Sequence, residues 1–351
     1  MVEIDGSTGE GGGQILRTAL ALSCLKQISV RLLNIRKKRK KTGLQPQHLW
    51  AVRASAAISK ADVRGDEIGS EELTFSPGPV RPGDYLFDIG TAGSTTLLFQ
   101  TILPALAFAK GASTVRIIGG THNPLAPPFE YVKEVFLPML GRLDLNARAN
   151  IKRYGFYPKG GGIVEFFIDN GQLTGADIVE RGRLLSLSGI SAVANLPISI
   201  AERQRASAAL KLKDFSPEIV IRELPSYGAG TFVFLLARYE GALCGFSSLG
   251  ERGKRAETVG EEAAAKFLAH HYPEDAGASG EMSGNAALDP NMADQIALYL
   301  ALSRRKRKIS FSTSRTTEHL FTNLWVISRF VRFEYAITGE KGKPGLVELR
   351  F

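Results

Sequence analysis

The order of helix-like and strand-like segments recurs three times along the chain, and this repetition constrains the fold more than any single motif. Residues 13–26 carry apolar side chains at helical spacing, a strand-like run covers 29–35, and a second helix-like segment covers about 46–59. The same order returns at 93–109, 114–118 and 129–140, and again at 290–302, 308–313 and 317–329. Strand-rich sequence follows, at 162–168, 332–337 and 346–351 among others. Each unit therefore reads as two helices on a small four-stranded sheet, an α+β module that needs its neighbours to cover that sheet. The segment from about 185 to 277 falls outside the period and reads as a smaller α/β domain with charged helices near 199–213 and 254–271. The expected architecture is a large domain of three repeats, residues 1–184 and 278–351, with the small domain inserted between the second and third modules. Its joints are expected at Asn170–Gly175 and at the Gly- and Ser-rich stretch Gly277–Gly284.

Composition narrows the class. The chain has 351 residues, 44% hydrophobic and 23% charged, as an ordinary globular protein does. No apolar run approaches the roughly 20 residues needed to cross a bilayer. The first residues read directly as folded sequence without a basic, then apolar, leader, so a cytoplasmic protein is expected. Cys24 and Cys244 lie far apart in apolar settings and are expected to be buried free thiols. The formal charge is +9, and the excess is clustered: six cations run from Arg36 to Lys41 and five from Arg304 to Lys308. Such runs suit a polyanion, although solvated loops carry them too.

In each module the loop between the strand and the second helix carries the chemistry-bearing residues, and packing about a pseudo-symmetric centre would bring these loops together. Near them lies the glycine-rich stretch from Gly6 to Arg17, between the first strand and the first helix. Its glycines allow close backbone approach to a phosphate, and the helix start supplies N–H donors. It lacks the Gly-Lys-Ser/Thr of a P-loop and the spacing of a dinucleotide fold. Glu10, a carboxylate beside such a cradle, repels phosphate unless a metal ion stands between them. Arg17 reaches the same anion from one turn into the helix. Arg36 and Arg39, with Gln47 and His48, suit a terminal phosphate, or form a solvated loop in which His48 caps the helix. The loop from Gly119 to Pro128 fixes a turn or offers an apolar face to a base, and the turn Gly155–Gly162 is structural, or else offers Lys159 to a phosphate. His319 stands in the first turn of a helix that Thr316 or Thr317 would cap, where unpaired N–H groups disfavour a protonated ring. A neutral imidazole beside an anion site is suited to attack phosphorus.

Taken together, these motifs resemble the RNA 3′-terminal phosphate cyclase family. The likeness rests on Gly9-Glu10-Gly11-Gly12-Gly13-Gln14-Ile15-Leu16-Arg17, Gln47-His48, Asn123 with Pro127-Pro128, the Gly155–Gly162 turn, Ala293-Asp294-Gln295, and His319 with Thr322-Asn323. The resemblance implies three α+β modules, similar to the C-terminal domain of a translation initiation factor, plus an inserted α/β domain. It implies a ligase-class reaction in RNA processing. His319 takes AMP from ATP, passes it to an RNA 3′-phosphate, and the neighbouring 2′-OH closes a 2′,3′-cyclic phosphate with release of AMP. It further implies ATP binding by Gln14, Arg17, Gln100, Pro127, Tyr131, Asn291, Met292, Ala293, Asp294 and Gln295. Arg36, Arg39, Gln47 and His48 would bind RNA phosphate, and Glu10 a divalent metal, Mg²⁺ or Mn²⁺.

Two positions depart from the family pattern. Asn291 stands where members often carry a tyrosine stacking on the base, and Lys37-Lys38 stands between the arginines where small residues are usual; stronger attraction for a polyanion is the expected consequence. The alternative reading is a non-catalytic RNA-binding, ribosome-assembly relative with the same fold, but that branch lacks the nucleophilic histidine, and His319, Glu10 and Arg17 are present here. Enolpyruvyl transferases use comparable modules but with other motifs and six repeats.

Overall fold

The computed structural model describes residues 1–273, 284–304 and 308–351. Most of the Gly277–Gly284 joint, and residues 305–307 of the second basic run, lie outside these described residues. The first module comprises β1 (Val2–Asp5), α1 (Gly13–Lys26), β2 (Val30–Leu33), α2 (Pro46–Ser59), β3 (Asp62–Arg64) and β4 (Leu73–Ser76). Its sheet has the order β1-β2-β4-β3, with β1 and β2 parallel and the other pairs antiparallel. The second module repeats this with β5 (Asp84–Asp88), α3 (Thr95–Ala107) and β6 (Ser113–Gly119). Its second helix starts as α4 (Phe129–Tyr131), passes a π turn at Val132–Phe136 and continues as α5 (Leu137–Gly141). β7 (Ala147–Arg153) and β8 (Gly162–Ile168) complete a sheet of order β5-β6-β8-β7 with the same pattern of directions.

The chain then forms β9 (Leu184–Ala194), α6 (Ile198–Lys211), β10 (Glu218–Glu223), β11 (Gly230–Tyr239), β12 (Leu243–Leu249) and α7 (Ala256–His271). These strands make a separate sheet, β10-β9-β11-β12, on which α6 and α7 pack. β9 and β10 are parallel across α6, so this part is α/β in character.

The last module holds α8 (Pro290–Ala301), β13 (Lys308–Thr313), α9 (Glu318–Ser328), β14 (Glu334–Thr338) and β15 (Gly345–Arg350). Its named sheet has three strands, β13-β15-β14, where four were expected. The missing edge is two isolated parallel bridges to β13, Ile178 with Phe311 and Leu288 with Thr313; Ile178 N donates to Ser310 O, Ser312 N to Ile178 O, Leu288 N to Ser312 O and Ser314 N to Leu288 O. Leu288, just before α8, thus stands beside β13 as β1 stands beside β2, and Ile178, which precedes the small sheet in sequence, extends that edge.

The core explains the periodicity. Ile15, Leu16, Ala19 and Leu20 on α1 are buried, and α1 packs against α2, α3 and α9. Helices of all three modules therefore meet around α1. Phe99 of α3 stacks on Phe166 of β8 with ring centroids 3.7 Å apart, fixing that helix on its sheet. Cys24 and Cys244 are buried free thiols, and burial pushes Cys24 up to about 12. Among the described residues, no helix is long and apolar enough to cross a membrane.

Candidate active site

The turn into α1 depends on glycine. Gly9 and Gly11 have φ of +56° and +59°, a region side chains disfavour, and a Cβ on Gly9 would collide with the Thr322 hydroxyl of α9. Gly12 caps α1 without a side chain, so the first N–H groups of the helix stay open to an anion.

α2 closes one side. Gln45 is its cap, and the Gln45 backbone N–H donates to His48 Nδ1 at 3.2 Å. His48 therefore carries its proton on Nε2, which faces Gly13 so closely that a Cβ there would strike it. Burial, then the charges of Arg17 and Arg36, push His48 down to about 3, so it is a neutral donor. Of the solvated-loop alternative, the capping half holds, since His48 is the N3 member of the capping box of α2, but the position is buried rather than solvated, 3% exposed. Gln47 is exposed beside it, against Gly93.

α9 supplies His319. Thr317 is the cap, its hydroxyl accepting from Leu320 N at 3.0 Å, so the imidazole lies in the first turn as expected. Nδ1 stands 2.6 Å from Gln14 Oε1 and 3.1 Å from Glu10 Oε1. Both neighbours are acceptors, which places a proton on Nδ1 and the lone pair of the neutral ring on Nε2. The expectation that the helix terminus disfavours the protonated ring is corrected. His319 is raised above its ordinary 6.5, chiefly by the Glu10 carboxylate in contact with Nδ1, against burial and Arg17. A carboxylate in contact outweighs the partial charge of a helix end.

Glu10 is nearly enclosed, its side chain 7% exposed, and Arg39 Nη2 lies 2.5 Å from Oε2. Burial raises its carboxyl, but His319, Arg39 and Arg17 together bring it below the ordinary 4.5. The Nδ1 proton of His319 can satisfy one acceptor at a time, and Gln14 is the nearer. Glu10 Oε1 is then a buried oxygen with no hydrogen-bond donor of its own. Arg17 follows one turn into α1; burial pushes it down to about 10, against the pull of Glu10, so it stays charged at neutral pH. Arg36 has φ of +56° and donates through Nη1 to Lys41 O at 2.5 Å, which orders the basic loop.

Between α1, α3, α8 and α9 lies a cavity of about 170 Å³. Gln14, Arg17, Gln100, Pro127, Asn291, Asp294, Gln295 and His319 all line it. Gln100 and Gln295 are hydrogen-bonded across it. Asp294 accepts from the Thr317 hydroxyl at 2.5 Å and is pushed up to about 7 by burial. Three residues expected there do not reach the cavity. Met292 and Ala293 are fully buried on the inner side of α8. Tyr131 is 2% exposed, and its hydroxyl donates to Asp289, the cap of α8, at 2.9 Å; it ties the second module to the third. Thr18 and an apolar wall of Leu97, Phe136 and Tyr299 line the cavity and were not anticipated. Thr18 was detectable, since it lies four residues after Gln14 on the same helical face. Phe136 and Tyr299 read only as core.

The protein-family model described as RNA 3′-terminal phosphate cyclase matches residues 8–337. A curated relative of that name from Methylococcus capsulatus is 46% identical over 341 residues, covering 94% of this chain and 91% of its own length. Those from Ignicoccus hospitalis and Sulfolobus acidocaldarius are 42% and 44% identical, each covering at least 97% of both chains.

Proposed function

Because the chain belongs to the RNA 3′-terminal phosphate cyclase family, we propose that it converts an RNA 3′-phosphate to a 2′,3′-cyclic phosphate at the expense of ATP. His319 Nε2 attacks the α-phosphorus of ATP, the N–P bond forms, and the bond to pyrophosphate breaks. An oxygen of the RNA 3′-phosphate then takes the AMP from His319, which restores the imidazole. The adjacent 2′-OH attacks the RNA 3′-phosphorus and loses its proton, and the bond from that phosphorus to AMP breaks, releasing AMP. Each displacement has a good leaving group, which is the advantage of the covalent route. Ring closure needs only that the 2′-OH be held beside the phosphate.

The observation that carries this reading is the double acceptor contact at His319 Nδ1, which leaves Nε2 as the nucleophile. Arg17 and the open start of α1 suit the phosphates of ATP, with Gln100, Asp294, Gln295 and Pro127 along the nucleotide. Arg36, Arg39, Gln47 and His48 suit the RNA phosphate; the guanidinium of Arg39 and the Nε2–H of His48 are donors an anion can use. Among the described residues no group of three His, Cys, Asp or Glu side chains could hold a metal ion. The orphaned Glu10 Oε1 nevertheless fits one ligand of a divalent cation whose other ligands are phosphate and water, as is usual for Mg²⁺. Such a cation would neutralise phosphate charge.

Incubation with ATP labelled in the α-phosphate and Mg²⁺ or Mn²⁺ tests the proposal. An acid-labile protein label, absent from His319→Ala and discharged by RNA carrying a 3′-phosphate, is the expected result. No label on the folded native chain with either metal would favour the non-catalytic RNA-binding role instead.

A further inference from the structure

The turn Gly155–Gly162 takes no part in the chemistry above, yet it presents an unusual surface. Tyr157 and Tyr227 are each 63% exposed, and Lys159 lies at the surface between them, its side chain running along Gly228. Arg153 stacks over the Tyr227 ring at 3.7 Å from the centroid, donates to its hydroxyl at 2.5 Å, and donates through Nε to Gly161 O at 2.8 Å. The ring is therefore fixed in place while most of it faces solvent. Neither Arg153 nor Lys159 is paired with a carboxylate among the described residues.

This surface is continuous with the candidate RNA-phosphate site. A Cβ on Gly160 would lie 2.7 Å from Ala92 Cα, so the turn rests directly on the loop before α3. A Cβ on Gly93 in that loop would lie 3.5 Å from Gln47 Cβ, and Gln47 adjoins His48. The line from His48 through Gln47 and Ala92 to Lys159 and Tyr227 crosses from the first module to the small sheet. In the other direction the loop 36–41 has no aromatic ring. Its Lys37 is held by Glu71 at 2.9 Å, and Lys38 donates to Gly9 O at 3.0 Å.

Two exposed rings, one of them held in place by Arg153, beside a cation without a carboxylate partner suit a single strand of nucleic acid, whose bases stack while its phosphates meet the cation. We propose that the nucleotides preceding the RNA 3′ end run over this surface, with bases stacking on Tyr227 and Tyr157 and the backbone meeting Lys159. This rests on the proposed RNA substrate and assigns the path of its single-stranded body. The surface would thus set a preference for unpaired 3′ ends, because a base already paired in a duplex cannot stack there.

The test uses the full chain and a 5′-fluorescein 12-nucleotide oligouridylate ending in a 3′-phosphate. Tyr227→Ala and Tyr157→Ala are each expected to weaken its binding about tenfold and raise its KM, with kcat and the ATP-dependent protein label unchanged. Tyr227→Phe should bind as the native chain does. A dinucleotide ending in a 3′-phosphate, too short to reach the rings, should be unaffected by any of these changes. Unchanged binding of the 12-mer in both alanine variants would overturn the proposal. Because Tyr227→Ala also removes the support of Arg153, Tyr157→Trp serves as a second probe. Its added fluorescence should be quenched by the 12-mer, and no quenching at saturation overturns the assignment. Failure of the native chain to take up label from ATP would count against the cyclase reading alone, since the binding measurements need no turnover.

Discussion

Gln14 and His319, 305 positions apart in sequence, meet at 2.6 Å between Oε1 and Nδ1. One side chain comes from the first turn of α1 in the first module, the other from the first turn of α9 in the third. The packing of α1 on α9 brings them together, so the nucleophile is positioned by the symmetry of the fold rather than by its own loop. Thr18 adds a parallel tie, its hydroxyl donating to Asn323 Oδ1 at 2.7 Å one turn further along both helices.

Replacement of Gln14 tests this directly. Gln14→Leu keeps the volume but removes the acceptor that orients Nδ1–H. A hydrogen bond of this kind is worth about 1 kcal/mol, so self-adenylylation should slow by roughly five- to tenfold. Single-turnover labelling of the protein with α-labelled ATP measures it, and the melting temperature should stay near that of the native chain. A native rate in Gln14→Leu would mean that Glu10 alone orients the ring.

The glycine-rich turn makes a second prediction. Gly9→Ala places a Cβ against the Thr322 hydroxyl at a φ of +56°, where an L side chain costs about 1–2 kcal/mol before any clash. Glu10, the next residue, must move with it. At least a tenfold loss of adenylylation is expected, together with a lower melting temperature. Adding Thr322→Ala removes the clash but not the backbone strain, so the double variant should recover part of the loss. No recovery would place the whole effect in the backbone.

Asn291 allows a gain of affinity. It is exposed on the first turn of α8 and lines the cavity beside Gln295, whose Nε2 donates to its carbonyl oxygen at 2.9 Å. Asn291→Tyr adds a ring on the α8 side of the cavity, opposite Pro127, and one stacking contact with the proposed nucleotide is worth about 1–3 kcal/mol. The KM for ATP should fall about tenfold, measured by initial rates of labelling. An unchanged KM would show that the base lies elsewhere, against Pro127 and Leu125.

Much of this was legible in the sequence, and the exceptions have physical causes. Helix limits such as 13–26 and 46–59 could be read because apolar spacing, glycine and proline mark their ends, and the structure has α1 and α2 at those positions. β5 was missed because Asp84–Asp88 is only five residues long, is bracketed by aspartates and exposes Leu86, so it shows no clear strand period. The bridges of Ile178 and Leu288 to β13 were missed because single paired residues leave no period. His319, Glu10 and Arg17 could be named from residue type. The upward shift of His319 could not, since it depends on a Glu10 contact made only when modules one and three pack. Tyr131, Met292 and Ala293 are placed by their neighbours in motifs, but helical geometry turns each of them inward.

The basic loop carries a prediction about salt. Lys37 and Lys38 were expected to strengthen attraction for a polyanion, and the structure places Lys37 in an ion pair with Glu71. Lys37/Lys38→Ala should therefore remove close to one effective charge rather than two. For single strands the slope of log affinity against log salt should become shallower by about 0.7, not about 1.4. Titration of the 12-mer across a range of salt concentrations reads it, and an unchanged slope would mean the loop stays away from RNA.

Asp294 gives the pH dependence of stability. Burial raises its carboxyl from 3.8 to about 7, and the neighbouring Asp289 rises to about 6 for the same reason. Between pH 4 and 7 the native chain therefore holds protons that the unfolded chain has released. Stability then falls as pH rises through this window and levels off above it, since the slope follows the difference in bound protons. Asp294→Asn keeps an Oδ1 that accepts from Thr317 and removes the ionisation. Its melting temperature should match the native value near pH 4 and exceed it at pH 8 by on the order of a few degrees. The same variant should adenylylate more slowly if the carboxylate contacts the nucleotide, so stability and activity would move in opposite directions. Equal melting temperatures at pH 8 would mean that Asp294 ionises at no cost and that water reaches it in the folded chain.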